Sequence, residues 1–282
     1  MRRKAFARTG VEVPVIGQGT WDAPESGPRM AQAKRALLRG IELGMTHIDS
    51  AEMYGAGRVE AIVGETIAAI DRSRLFLTTK VLPSNATYKG TIAAAERSLR
   101  RLGTDYVDLY LLHWPSEHPL EDTMRALETL VEQGKARFVG VSNFDTAEML
   151  EAASYVRAVP LACNQVLYHV HERGPEHALI PTARDRGIAI VAYTPFGRRR
   201  FARDAEEGGA LDTVARKHGA TVRQVILAFL TRAENVFTIP KAAQLAHVEE
   251  NAGAGDLVLD AGDVARIDAA FPRGKPGPLA TL

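Results

Sequence analysis

Six short apolar runs in this chain each end on a side chain able to do chemistry. Met45–Asp49 ends on Asp49, Leu75–Lys80 on Lys80 and Tyr106–His113 on His113. Arg137–Ser142 ends on Ser142, with Asn143 next, Leu161–Gln165 on Gln165, and Ile188–Tyr193 on Tyr193. Tyr54 follows Asp49 by five residues, in Ser50-Ala51-Glu52-Met53-Tyr54-Gly55. Ordinary core patterning would scatter such groups to both ends of the runs. Their concentration at one end points to a site. A tyrosine hydroxyl is a weak acid with an ordinary pKa of about 10, and a neighbouring ammonium such as Lys80 favours the phenolate and lowers that value. Asp49 can pair with Lys80 and hold it in place. His113 can hydrogen-bond the oxygen that Tyr54 protonates. Together these groups suit protonation of a carbonyl oxygen by a general acid while a second reagent adds to the carbon. The spacing offers no Ser-His-Asp or Cys-His pairing, so acyl transfer is not favoured.

Two further apolar runs, Val15–Thr20 and Val236–Ile239, bring the candidate strands to eight. Near-continuous apolar character is expected of parallel strands buried on both faces. Amphipathic helices are predicted between them. Leu120, Met124, Leu127 and Val131 fall on one helical face, as do Val59, Ile62, Val63, Ile67 and Ile70. Asp145-Thr146-Ala147-Glu148 and Thr221-Val222-Arg223-Gln224 read as capping boxes. Gly44, Gly103, Gly134 and Gly187 sit where helices should turn back through a left-handed residue. The expected architecture is α/β: one (β/α)8 TIM barrel over residues 1–282, a fold that typically takes about 250 residues. A turn at Thr9-Gly10 predicts an N-terminal β-hairpin able to plug the barrel floor. The doubly wound fold is the main competitor, but Gly17-Gln18-Gly19 is followed by Thr20-Trp21-Asp22-Ala23, with no third glycine opening a helix. Residues 272–282 form a short tail rich in Pro and Gly, read as an extended end that leaves the pocket open.

Composition narrows the function classes. Hydrophobic residues are 46% and the formal net charge is +1, a balance that excludes disorder and gives no basic footprint for nucleic acid. No apolar run approaches the roughly 20 residues of a membrane span. The single cysteine, Cys163, excludes an intrachain disulfide. Met1-Arg2-Arg3-Lys4 is followed by no apolar segment of the secretory kind. The expectation is a cytoplasmic protein, a monomer or weak oligomer, acting on a small molecule.

These motifs carry a resemblance. The chain is similar to the aldo-keto reductases in His47-Ile48-Asp49-Ser50-Ala51-Glu52-Met53-Tyr54-Gly55, Leu77-Thr78-Thr79-Lys80-Val81 and Leu111-Leu112-His113-Trp114-Pro115. Val139-Gly140-Val141-Ser142-Asn143-Phe144 and Ala192-Tyr193-Thr194-Pro195-Phe196-Gly197 extend it, and it runs from Gly17 to Lys241. The resemblance implies a carbonyl reductase using a nicotinamide cofactor without a Rossmann domain. Tyr54 would be the general acid, with Lys80 and Asp49 tuning it and His113 orienting the carbonyl. Tyr193 would stack on the nicotinamide, with Ser142, Asn143 and Gln165 on its carboxamide. Thr194, Pro195, Phe196 and Gly197 would also touch the cofactor. Lys241 would meet the 2′-phosphate of NADPH and Asn251 the adenine. Family members often carry Ser or Thr after that lysine and an arginine six residues beyond it, where this chain has Ala242 and His247. A histidine cannot reproduce the bidentate arginine fork, so the expected cofactor is NADPH with NADH also accepted.

Plainer readings stand beside these. Trp21, Trp114 and Met53 are read as pocket walls, against ordinary packing. His169 and His171, and likewise His118 and His177, lack metal-ligand partners at ligand spacing and read as loop residues. Arg198–Arg200 reads as a solvated run ahead of a phosphate clip. Lys34-Arg35 and Arg100-Arg101 read as exposed helix faces, and Cys163 as a small buried apolar residue. Two rival functions keep the barrel. One is a redox-sensing module that binds NADPH without turnover. The other is a lyase using Lys80 as a Schiff-base nucleophile.

Overall fold

The computed structural model describes residues 1–197 and 206–282. A hairpin of β1 (Arg3–Ala5) and β2 (Glu12–Pro14) precedes eight parallel strands. These are β3 (Gln18–Gly19), β4 (His47–Asp49), β5 (Phe76–Val81), β6 (Val107–Leu112), β7 (Ala136–Ser142), β8 (Leu161–Leu167), β9 (Ala189–Tyr193) and β10 (Val236–Thr238). They pair in sequence order. The two ends of the sheet meet, because Gly17 N–H donates to the Thr238 carbonyl (2.8 Å) and Thr238 N–H to the Val15 carbonyl (3.0 Å). The outer layer holds α1 (Gly27–Glu42), α2 (Arg58–Ile67), α3 (Tyr88–Leu102), α4 (Leu120–Glu132), α5 (Thr146–Tyr155) and α6 (Leu179–Arg186). After the undescribed residues come α7 (Ala210–His218), α8 (Val222–Leu230), α9 (Leu245–Gly253) and α10 (Ala261–Ala270). This is the expected (β/α)8 barrel with its N-terminal hairpin. Among the described residues no helix is long and apolar enough to cross a membrane.

Local signals explain the element ends. Asp145–Glu148 and Thr221–Gln224 both form the reciprocal bonds of a capping box. Only two residues of Val15–Thr20 are regular strand, and the glycines there serve the closure of the ring. A Cβ on Gly17 would lie 2.8 Å from the His47 carbonyl oxygen, and one on Gly19 would lie 2.6 Å from that of Ile239. No side chain fits at either contact.

The barrel interior is apolar at its floor. Phe6, from the hairpin turn, is fully buried and meets Phe76 and Phe237 at ring-centroid distances of 4.9 and 5.0 Å. Leu109, Leu111, Val191 and Cys163 pack above it. Cys163 is buried as expected, and burial pushes its thiol well above the ordinary range. Lys4 fastens the hairpin by donating to the carbonyls of Thr231 and Ala233 at 2.6 and 2.7 Å. The helix-face reading needs two corrections: Arg35 and Arg100 are exposed, but Lys34 is half-buried and paired with Glu65 (2.6 Å), and Arg101 turns inward, its Nε donating to the fully buried Glu60 carboxylate at 2.6 Å. A buried carboxylate needs such a partner, and α3 brings Arg101 to Glu60 of α2 only after folding.

Candidate active site

The strand ends converge as parallel register requires. Lys80, on β5, is fully buried and donates to Asp49 Oδ1 (2.6 Å), the Ser50 carbonyl (2.8 Å) and Tyr54 Oη (3.4 Å). Gln165 Nε2 donates to the other oxygen of Asp49 (2.8 Å). The His113 ring meets the Tyr54 ring edge-on at 5.8 Å and stacks on Trp114 at 3.9 Å. Asn143 Nδ2 donates to the His113 carbonyl (3.0 Å), its Oδ1 accepts from Tyr193 Oη (2.7 Å), and Ser142 Oγ donates to the Gln165 carbonyl (2.9 Å). One hydrogen-bonded mesh therefore spans β4 to β9.

Tyr54 sits on a tight turn between β4 and α2. Gly55, Ala56 and Gly57 that follow it are all left-handed, with φ of 56°, 53° and 89°. Ala56 carries a strain that the two glycines avoid. Glu52 braces this turn. Its buried carboxylate accepts from the Leu82 N–H (2.7 Å) and Asn85 Nδ2 (2.9 Å), joining the loop of Tyr54 to the loop beyond Lys80. Asn143 and Thr194 are likewise left-handed (φ 64° and 53°), at the ends of β7 and β9.

Burial sets the electrostatics. It pushes the Tyr54 phenol upward by more than the Lys80 ammonium pulls it down, so the group stays protonated. This corrects the expectation of a net lowering. Lys80 loses solvation by burial, but Asp49 and then Tyr54 more than offset that and hold it charged. His113 is driven down to about 2 by burial and by Lys80, and so stays neutral. NMR of its ring protons is expected to show no titration between about pH 5 and 9, whereas an ordinary histidine titrates near about 6.5. A midpoint in that interval would contradict the burial assigned to it.

A cavity of ≈ 450 Å³ opens above this mesh. It is lined by Asp49, Tyr54, His113, Ser142, Asn143, Gln165, Tyr193, Thr194, Pro195, Phe196 and Lys241, with Trp21, Met53 and Trp114 at its walls. Trp21 and Met53 are partly open to solvent. Lys80 lies beneath the cavity lining, within hydrogen-bond reach of Tyr54. Asn251 lines a narrow adjoining cleft that also reaches Lys241, and its buried Oδ1 has no hydrogen-bond partner among the described residues. Gly197, left-handed and packed near His169, and His247 line neither space. His169 Nδ1 accepts from the His171 N–H (3.2 Å), and among the described residues no cluster of His, Cys, Asp or Glu has metal-site geometry. Arg198–Arg200 lies outside the described residues.

Gly19, Asp22, Arg223, Ile239 and Leu282 also line the cavity and escaped the sequence reading of the site. Arg223 enters from the first turn of α8, where the capping-box pattern hid any other role. Leu282, the last residue, reaches the cavity, so the tail returns to the mouth and does not simply trail away. Arg173, whose NH1 donates to the Phe271 carbonyl, anchors the start of that path.

Comparison with known proteins agrees with this geometry. Residues 15–271 match the model of the aldo/keto reductase family. Methylglyoxal reductase YeaE of Escherichia coli is 40% identical over 98% of this chain and 97% of its own length. Glyoxal reductase of Bacillus subtilis is 34% identical over 95% of this chain and 93% of its own. An aldo/keto reductase of Klebsiella pneumoniae, solved in complex with NADP and acetate, superposes with a TM-score of 0.92 at 38% identity over the full length of both chains. With its strand-end polar groups gathered at one mouth and the family model matched over residues 15–271, the chain belongs to the aldo/keto reductase family and is an oxidoreductase acting on carbonyl groups.

Proposed function

We propose that the protein reduces small aldehydes and ketones, 2-oxoaldehydes among them, to alcohols, with NADPH as reductant and Tyr54 as proton donor. The observation that carries this reading is the chain Tyr54–Lys80–Asp49 beneath a cavity that continues to Lys241. The residues suit the cofactor. Asn251 Oδ1 is a buried acceptor without a partner among the described residues, suited to an adenine amino group. Asn143 and Gln165 present amides beside the Tyr193 ring, as a nicotinamide carboxamide requires. When bound, NADPH supplies the hydride that the carbonyl carbon receives.

The chain's own groups do the rest. Tyr54 Oη donates a hydrogen bond to the carbonyl oxygen and gives up its proton as negative charge develops there. Lys80, held charged by Asp49, stabilises the phenolate left behind. Neutral His113 has one ring N–H to donate to the same oxygen, and its stacking on Trp114 fixes the ring. Trp21, Met53 and Trp114 form an apolar wall that suits small carbonyl compounds. Lys80 suits a Schiff base poorly, because an ammonium locked to Asp49 is not a nucleophile.

The test is turnover. With NADPH and methylglyoxal, or a simple aromatic aldehyde, multiple-turnover oxidation of NADPH is expected, with one alcohol formed per NADPH consumed. Tight NADPH binding without oxidation by any aldehyde in a panel would replace this reading with the redox-sensing one.

A further inference from the structure

We infer that Arg223 is a phosphate-binding residue of the dinucleotide site, held ready by Glu250. The inference rests on the NADPH reading above and adds a residue to it. Arg223 lines the same cavity as Lys241 and Tyr193. Its side chain is only 21% exposed, and its guanidinium carbon lies over the Phe196 ring, 4.7 Å from the ring centroid. Its Nε is 3.3 Å from Glu250 Oε2, on α9, the helix that carries Asn251. That pairing places the guanidinium toward the adenosine end of the cavity.

Helix energetics give no reason for an arginine here. Position 223 is in the first turn of α8, whose first turn holds no acidic residue. A cation there faces the positive end of the helix dipole, the unfavourable end. The capping box closes the helix start without it, through Thr221 and Gln224. The Phe196 ring and the Glu250 carboxylate offset the cost and fix the guanidinium. An anion entering the cavity meets a preorganised planar donor. At 3.3 Å the Glu250 contact is longer than a strong charge-assisted bond, which runs about 2.7–2.9 Å, so a phosphate oxygen can compete for the same N–H groups.

The net charge of +1 sharpens the need. The global field draws no anion in, so local cations must hold the several negative charges of NADPH. Lys241 is one, a point charge. His247 lines neither the cavity nor the adjoining cleft and supplies no second. Arg223 supplies the planar, always-charged donor at another point of the fold.

Fluorescence titration of the full-length protein with NADPH and with NADH tests this, using wild type, Arg223→Ala, Arg223→Lys and Glu250→Gln. Thermal melts check that each variant is folded. Arg223→Ala is expected to raise the Kd for NADPH roughly 10- to 100-fold, the range of a lost charged hydrogen bond, with Arg223→Lys in between. Glu250→Gln is expected to tighten NADPH binding, a sign that a merely structural pair would not give. Loss confined to NADPH assigns the contact to the 2′-phosphate. Equal loss with NADH assigns it to the pyrophosphate. Unchanged affinity in a folded Arg223→Ala protein overturns the inference. Wild type that binds neither dinucleotide refutes the underlying cofactor reading instead.

Discussion

Tyr54→Phe is expected to lower kcat for aldehyde reduction by roughly 10²- to 10⁴-fold, the usual contribution of a general acid, and to leave the Kd for NADPH unchanged. The substitution removes one oxygen, the atom 3.4 Å from Lys80 Nζ. The ring that packs edge-on against His113 remains, so the turn and the pocket wall keep their shape. Lys80 keeps Asp49 and the Ser50 carbonyl as partners and is not stranded as a bare buried charge. The loss therefore falls on the chemical step. Stopped-flow measurement of NADPH oxidation separates it from binding and product release. A variant that turns over at the wild-type rate would remove Tyr54 from the mechanism.

Glu176→Ala is expected to cost about 3 kcal/mol of stability, at the lower end of the range for breaking a buried ion pair, and roughly 5 °C in Tm. Glu176 is the hub of the network that ties the start of the tail to the barrel. Its Oε1 accepts from Tyr168 Oη and Arg173 Nε, both at 2.7 Å, and its Oε2 accepts from Arg173 (2.7 Å) and Arg232 (2.8 Å). The Arg173 side chain is 1% exposed and, among the described residues, keeps only Asp268 as a carboxylate partner after the change. The lower end applies because Arg232 and Arg273 reach solvent and can rehydrate. The pH dependence follows from the sign of the shift. Burial raises the Glu176 carboxyl, but its arginine and tyrosine partners pull it down further, to about 2 in the folded protein against 4.5 unperturbed. Its stabilisation is therefore present above about pH 4.5 and lost as pH falls through about 2. Urea melts of wild type and variant should differ most at neutral pH and converge toward pH 2. A gap that stayed constant across this window would place the effect in packing and not in charge.

The two predictions draw on different layers of what the chain encodes. Asp49, Lys80, His113, Ser142, Gln165 and Tyr193 were legible because parallel strands in a barrel all end at one mouth, so a polar residue closing an apolar run is aimed at the site. Tyr54 was legible from its nearness to Asp49 in the loop after that strand. Glu52 was not, since bracing Leu82 and Asn85 from across a loop leaves no pattern in the chain. Glu176 was hidden for a similar reason: besides its neighbours Tyr168 and Arg173, its carboxylate meets Arg232 and Arg273 from far along the chain. Arg101 was misread as solvated because its partner, Glu60, lies 41 residues away.

By itself, the sequence determined the order and type of the elements, the barrel and the identity of the groups at its mouth. Those depend on local periodicity, capping and strand polarity, which neighbours along the chain control. Only the tertiary structure decided the net upward shift of Tyr54, the neutrality of His113, the return of Leu282 to the cavity and the placement of Arg223 beside it. Each of these depends on desolvation or on contacts between residues far apart in the chain. Burial and long-range proximity exist only once the ring of strands has closed.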